Sequence, residues 1–170
     1  MKNNDKDNKH KKVHFILGLL RISIGWIFFW AFIDKLLCLG FPSEGGKCWI
    51  DGGSPTAGFL QNGTSGPFAS LFQAMADNGF VDGLFMLGLL GIGLALILGI
   101  GVKIAGYSGA ILMILMWLAV LPKENNPFLD EHIIYLLLLK IFILTNSGEY
   151  IGLGKWWGSL ELVKKYPILK

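Results

Sequence analysis

The sequence predicts an all-α integral membrane protein, a four-helix bundle with a loop and short helix capping its outer side and an interfacial helix at its cytoplasmic C-terminus. Three observations carry this. Apolar residues gather in four blocks, at about 13–37, 81–100, 104–121 and 127–145. The 170-residue chain is 53% hydrophobic and only 16% charged, with a mean hydropathy of +0.55, too apolar for a soluble domain of this length. Lysines are also asymmetric. Lys2, Lys6, Lys9, Lys11, Lys12, Lys103, Lys155, Lys164, Lys165 and Lys170 would share one side, against Lys35, Lys47 and Lys123 on the other. Lys and Arg accumulate on the cytoplasmic side, so both termini are expected there, in the plasma membrane.

Residues 1–12 form a polar, basic tail expected to be disordered and to favour anionic lipid headgroups, and nothing in it or elsewhere reads nucleic acid. The first block is too long and too interrupted by Arg21 for a cleaved leader, and reads as a signal anchor. It carries Arg21, Asp34 and Lys35, and ionisable groups within a span normally face other helices or a wet cavity. At about 100° per residue, Arg21, Gly25, Phe28, Phe32 and Lys35 fall within roughly 40° of one line. Their cations would hold an anion or a quinone carbonyl. The competing reading has Arg21 and Lys35 snorkelling to the two headgroup layers. Arg21, about 12 Å beyond Val13, lies deep for that.

The outer loop, 38–80, is rich in Gly, Ser, Pro and Thr, and a loop of this length is usually functional or partly structured. Within it Gly66–Pro67 starts a helix whose Phe68, Leu71, Phe72 and Met75 make an apolar stripe that packs on the outer interface. Gly52, Gly53, Ser54 and Thr56 are candidates for surrounding a small anion, although the same residues build ordinary turns. Cys38 and Cys48 read first as a structural disulfide; the alternative is a redox pair serving a membrane quinone, for which CxxC spacing and a relay pair are missing.

The second span places Gly88, Gly91, Ala95 and Gly99 on one face for close helix packing. A tight connection leads to the third, whose Met113, Met116 and Trp117 read as core and interface. The fourth opens with Asn126 as N-cap and Pro127 at the first helical position, and Asp130 and Glu131 suit its dipole. Asp34, Lys35, Glu124, Asp130, Glu131, His132 and Tyr135 would crowd the outer mouth as a polar site. Lys140 is a second intramembrane cation in the leaflet of Arg21, open to an anionic partner or a lipid phosphate. The 146–170 segment, with Trp156 and Trp157 beside lysines, reads as an interfacial anchor. His10 and His14 lie at the opposite end from His132, so no pair clamps a haem, and no Cys/His cluster with metal spacing, Walker motif, dinucleotide motif or nucleophile elbow occurs.

Several runs resemble the DoxX/DoxD family of four-span membrane proteins: Arg21, Gly25, Trp26 and Asp34–Lys35; WIDGGSPTAGFL with GTSGPF; FMLGLLGIGLALILGIG; LPKENNPFLDEHIIY; and the closing GLGKWW and KKYP. The resemblance spans about Leu20 to Pro167. It implies a membrane subunit of a quinone-linked oxidoreductase, in its best-defined form coupling two thiosulfates into tetrathionate and passing two electrons to quinone. Lys35 and the GGSPT loop would then attract thiosulfate, while His132 or Glu131 would manage quinone protons. Arg21, Asp34 and Lys140 are the remaining candidates around the quinone. No electron store is evident in the chain, so a second subunit or soluble oxidoreductase is implied. Against this enzyme stand a non-catalytic scaffold or assembly factor and, with no detectable inverted repeat, a small-anion transporter.

Overall fold

The computed structural model describes residues 2–41, 48–122 and 126–170, with side chains from residue 8 onward; Lys47, Lys123 and Glu124 lie outside the described residues. Among the described residues all regular structure is helical. Helix α1 is Lys2–Leu37, α2 Ala69–Gln73, α3 Gly79–Leu98, α4 Val102–Ala119, α5 Glu131–Leu144, α6 Gly154–Ser159 and α7 Glu161–Lys165. Three stretches, Asn8–Leu37, Gly79–Leu98 and Val102–Ala119, are long and apolar enough to cross a membrane, and they mark the chain as a membrane protein.

Helix α1 begins at Lys2, not at Val13 as the hydropathy suggests. Once nucleated by the apolar stretch, a helix propagates through a polar run that holds neither Pro nor Gly. The fourth apolar block differs in the other direction. Asn126 does not open a helix: its Oδ1 accepts from the N–H groups of Phe128 and Leu129, both at 3.1 Å, and so closes a turn around Pro127. Asp130 is the N-cap, with Oδ1 accepting from His132 N at 3.1 Å and Ile133 N at 3.4 Å. The resulting 14-residue α5 is about 21 Å long.

Helices α1 and α3 pack antiparallel with almost no side chain between them. A methyl group on Gly93 would stand 2.7 Å from Phe29 N, and one on Gly25 would stand 2.9 Å from Ile97 N. Gly88 and Gly91, expected to make this approach, meet nothing; they line a shallow apolar groove of about 600 Å3 with Leu84, Leu87, Ile104 and Ser108. Gly106 and Gly109 of α4 receive Ile143 and Leu139 of α5. The core between these helices is built from Ile24 and Phe28, Met86, Leu89, Ile92 and Leu96, Met113, and Leu139 and Phe142.

Two segments close the ends. At one end, the loop end, Leu60 and Phe72 pack on Ala119, and Ser65 N donates to Ala119 O at 2.9 Å. Of the expected apolar stripe only Phe72 is buried and Leu71 faces outward, while a 3-10 turn at Gly66–Phe68 leads into the five-residue α2 and Met75 follows it. At the other, the tail end, one interfacial helix is replaced by α6, α7 and a final turn at Pro167–Leu169, broken where Leu160 turns extended. Val163 is buried, Trp157 Nε1 donates to Leu169 O at 2.6 Å, and Lys103 N donates to Lys170 O at 2.7 Å. The tail is therefore a folded cap.

Candidate functional site

The charged residues of α1 divide between the two ends. Arg21 is fully buried at the tail end. Its Nη1 donates to Leu96 O, with a longer contact of 3.3 Å to Ile97 O, and its Nη2 donates to Ile151 O. The carbonyls of a last helical turn have no partner within the helix. Arg21 fills that role for α3 and ties the following tail segment to it. Both Nη groups are thereby engaged by the chain's own carbonyls, and Arg21 does not line the cavity described below. Lys140 also stands away from the core. It is exposed on α5, 6.0 Å from the centre of the Tyr107 ring, in cation–π range.

Asp34, fully buried at the loop end, accepts from Phe41 N at 3.1 Å and so shapes the exit from α1. One turn beyond, Cys38 is joined to Cys48 in a disulfide. That bond brings Trp49 against the core, and the chain then runs through the GGSPT loop. Gly52 N and Gly53 N donate to Trp49 O and Cys48 O within the turn. Ser54 Oγ and Thr56 Oγ1 donate to one oxygen of Asp82, at 2.9 and 2.5 Å. These two hydroxyls are therefore engaged by the carboxylate of this chain's own α3. Asp82 carries no assignment from the sequence, although a lone carboxylate at the head of an apolar run is itself a signal.

This clamp sets the lid of a cavity. A space of about 450 Å3, within the ~300–1,000 Å3 typical of small-molecule sites, lies beneath the loop and between the helices. Its walls are mostly apolar, including Phe28, Phe85, Leu89 and Met113, with Phe59 and Met75 from the loop side. Four polar side chains reach it: Lys35 from α1, Thr56 from the loop, and His132 and Tyr135 from α5. Two residues of its wall, Ile27 at 43% and Leu115 at 47% exposed, also lie on the outer surface of α1 and α4. The cavity thus borders the side of the molecule as well as its end.

His132 is the most constrained of the polar group. Its Nδ1 lies 2.7 Å from Asp130 Oδ2, and the two side chains are 13% and 6% exposed. Glu131, 63% exposed, comes within 4.0 Å of the same nitrogen without lining the cavity. Asp130, Glu131 and His132 bring ligand atoms within 4.8 Å of one another, as helix-start acids beside a histidine do, and we assign them no metal. Lys35, His132 and Tyr135 are thus gathered, while Glu131 stands at the rim and the cysteines are joined in the lid.

Asp82→Ala should free the lid. Two hydroxyl donors lose a charged acceptor, a loss of about 2 kcal/mol. Amide exchange over 48–76 should then quicken by about 30-fold while the cores of α3 and α4 keep their protection. Unchanged exchange in the loop would show that packing alone holds it.

The molecule is, in class, a helical membrane protein with a lidded apolar cavity that is polar at one end. Comparison with protein-family models, curated proteins and solved structures finds no match.

Proposed function

We propose that the protein is a four-span membrane subunit of a quinone-linked oxidoreductase, of the DoxX/DoxD type, and that the cavity beneath the loop binds the quinone headgroup. The four long helices form the bundle, with both termini on the cytoplasmic side of the plasma membrane and the 38–80 segment outside. The α5 core of about 21 Å falls short of a hydrocarbon layer of ~30 Å, and Phe128 and Leu129 extend its apolar length on the outer side.

The observation that carries the reading is the cavity itself. Its walls suit a ring and an isoprenoid tail, and its side bordered by Ile27 and Leu115 would face lipid, where such a molecule is dissolved. Lys35 is a donor to a carbonyl oxygen, and the imidazole of His132 can accept or donate a hydrogen bond. In the reaction the resemblance implies, two thiosulfates lose two electrons in joining to tetrathionate, and quinone takes those electrons with two protons to give quinol. Electrons reach the cavity from a partner subunit. With Ser54 and Thr56 engaged by Asp82, thiosulfate capture falls to that partner or to other groups at the rim.

A second reading, the non-catalytic scaffold, draws on a run of aromatic side chains on α1 and its exit, Trp26, Phe29, Trp30 and Phe41, in which Trp26 and Phe41 are exposed. Such a ladder suits a docking helix as well as lipid.

The test is binding of a short-tailed benzoquinone to purified protein in detergent. Saturable binding should weaken by about tenfold or more, near 1.4 kcal/mol, in Lys35→Ala. If wild type shows no saturable binding, the quinone reading fails and the scaffold reading gains.

A further inference from the structure

Resting on that reading, the hydrogen bond between Asp130 and His132 decides which redox form the cavity prefers. An ionised carboxylate only accepts, so a neutral imidazole 2.7 Å from Asp130 Oδ2 must carry its single proton on Nδ1. The same carboxylate is locked in place, because its other oxygen accepts from His132 N and Ile133 N at the start of α5. The ring therefore cannot turn over without giving up its bond to Oδ2, which the helix cap holds in place. In that neutral form Nε2 carries the lone pair and no proton, and His132 lines the cavity.

A lone pair receives a hydrogen bond from a hydroxyl and repels a carbonyl oxygen. Lys35 supplies the complementary chemistry, since an ammonium only donates, and Tyr135 can do either. We propose that the cavity binds the hydroquinone form of its lipophile in preference to the quinone, with His132 Nε2 accepting a ligand hydroxyl and Asp130 acting as the positioning residue that fixes the tautomer. The preference has a redox consequence. Binding the reduced form tenfold more tightly makes the bound quinone a stronger oxidant, by about 30 mV for a two-electron couple. That would favour electron flow from the partner into the cavity.

Two measurements on the purified full-length protein in detergent test this. In the first, protein with 15N-labelled histidine is examined by two-bond proton–nitrogen correlation, which tells the two neutral tautomers apart. Wild-type His132 should carry its proton on Nδ1. Asp130→Ser keeps a helix-capping oxygen but lacks the second one facing the ring, and should release His132 to the Nε2-protonated form that free imidazole favours.

In the second, dissociation constants are measured under anaerobic conditions for a short-tailed benzoquinone and the matching hydroquinone. Hydroquinone should bind at least about tenfold more tightly to wild type. In Asp130→Ser and in His132→Phe, which keeps a ring without nitrogen, the two forms should bind within about threefold of each other. An Nε2-protonated wild-type ring overturns the proposal, as does equal binding of the two forms beside a fixed Nδ1 proton. Both of those outcomes leave the quinone site standing. Failure of both forms to bind overturns the site and the preference together.

Discussion

Replacing Arg21 with methionine should cost the fold about 3–5 kcal/mol, more than any single polar substitution at the cavity. Methionine matches much of the arginine stem, so the apolar contacts of α1 survive, and it removes a buried cation that is expensive to hold. The partners of that cation, however, stay behind. Leu96 O belongs to the last turn of α3 and Ile151 O to the segment entering α6, and both lose their donor. Gly99 ends α3 in a left-handed conformation with its N–H on Ala95 O, and Leu153 N takes Leu98 O; neither is positioned to serve Leu96. Most of the loss comes from leaving one buried and one part-buried acceptor unpaired. The unfolding midpoint in detergent should fall by about 10 °C. Lysine should recover part of this, since one ammonium can serve one of the two carbonyls but lacks the forked guanidinium. A methionine variant that melts within about 2 °C of wild type would show that the cation's own desolvation cancels what it ties together.

The role of Arg21 shows where the sequence is legible and where it is not. Its depth and the stripe through Gly25 and Phe28 follow from spacing alone, and in the structure all three are buried. What the guanidinium binds does not follow, because Leu96 and Ile151 are 75 and 130 positions away and contribute backbone, which leaves no trace in residue type. Lys140 is a different case. The buried face of α5 runs through Leu139, Phe142 and Ile143, and Lys140 is about 100° from Leu139 on the helix, so periodicity alone turns it outward. Its depth along the helix suggests an intramembrane partner, but the face it occupies decides. The loop is the least legible part. Ser and Thr in a glycine-rich run suggest an anion, but only the fold places Asp82 among them. At the cavity, the grouping of Lys35, His132 and Tyr135 is readable from their expected depth. The bond that orients His132 is hidden by the second job of Asp130 as a helix cap, which explains that residue without reference to the ring.

The two glycine faces of α3 give the second large prediction, and they separate close packing from mere smallness. Gly91→Ala should be neutral or stabilise by up to about 1 kcal/mol, since the new methyl meets nothing within 4 Å and alanine is the better helix former. Gly93→Ala faces the opposite balance. Its methyl would lie 2.7 and 2.9 Å from the backbone N and Cα of Phe29, atoms that cannot rotate aside, so α1 and α3 must move apart along their length. Overpacking of this kind costs about 1–3 kcal/mol, of which the helix gain returns up to about 1. Gly93→Leu should exceed about 3 kcal/mol and leave little folded protein. Function should follow the same ranking. Helix α1 brings Phe28 and Lys35 to the cavity and α3 brings Phe85 and Leu89, so prying the pair apart moves two walls relative to His132. Thermal stability and quinone binding, measured on Gly91→Ala and Gly93→Ala side by side, should therefore fall together in the second and hold in the first. If Gly91→Ala proves the more damaging, its face is covered in the working protein, and the groove along Gly88 and Gly91 is where another helix packs.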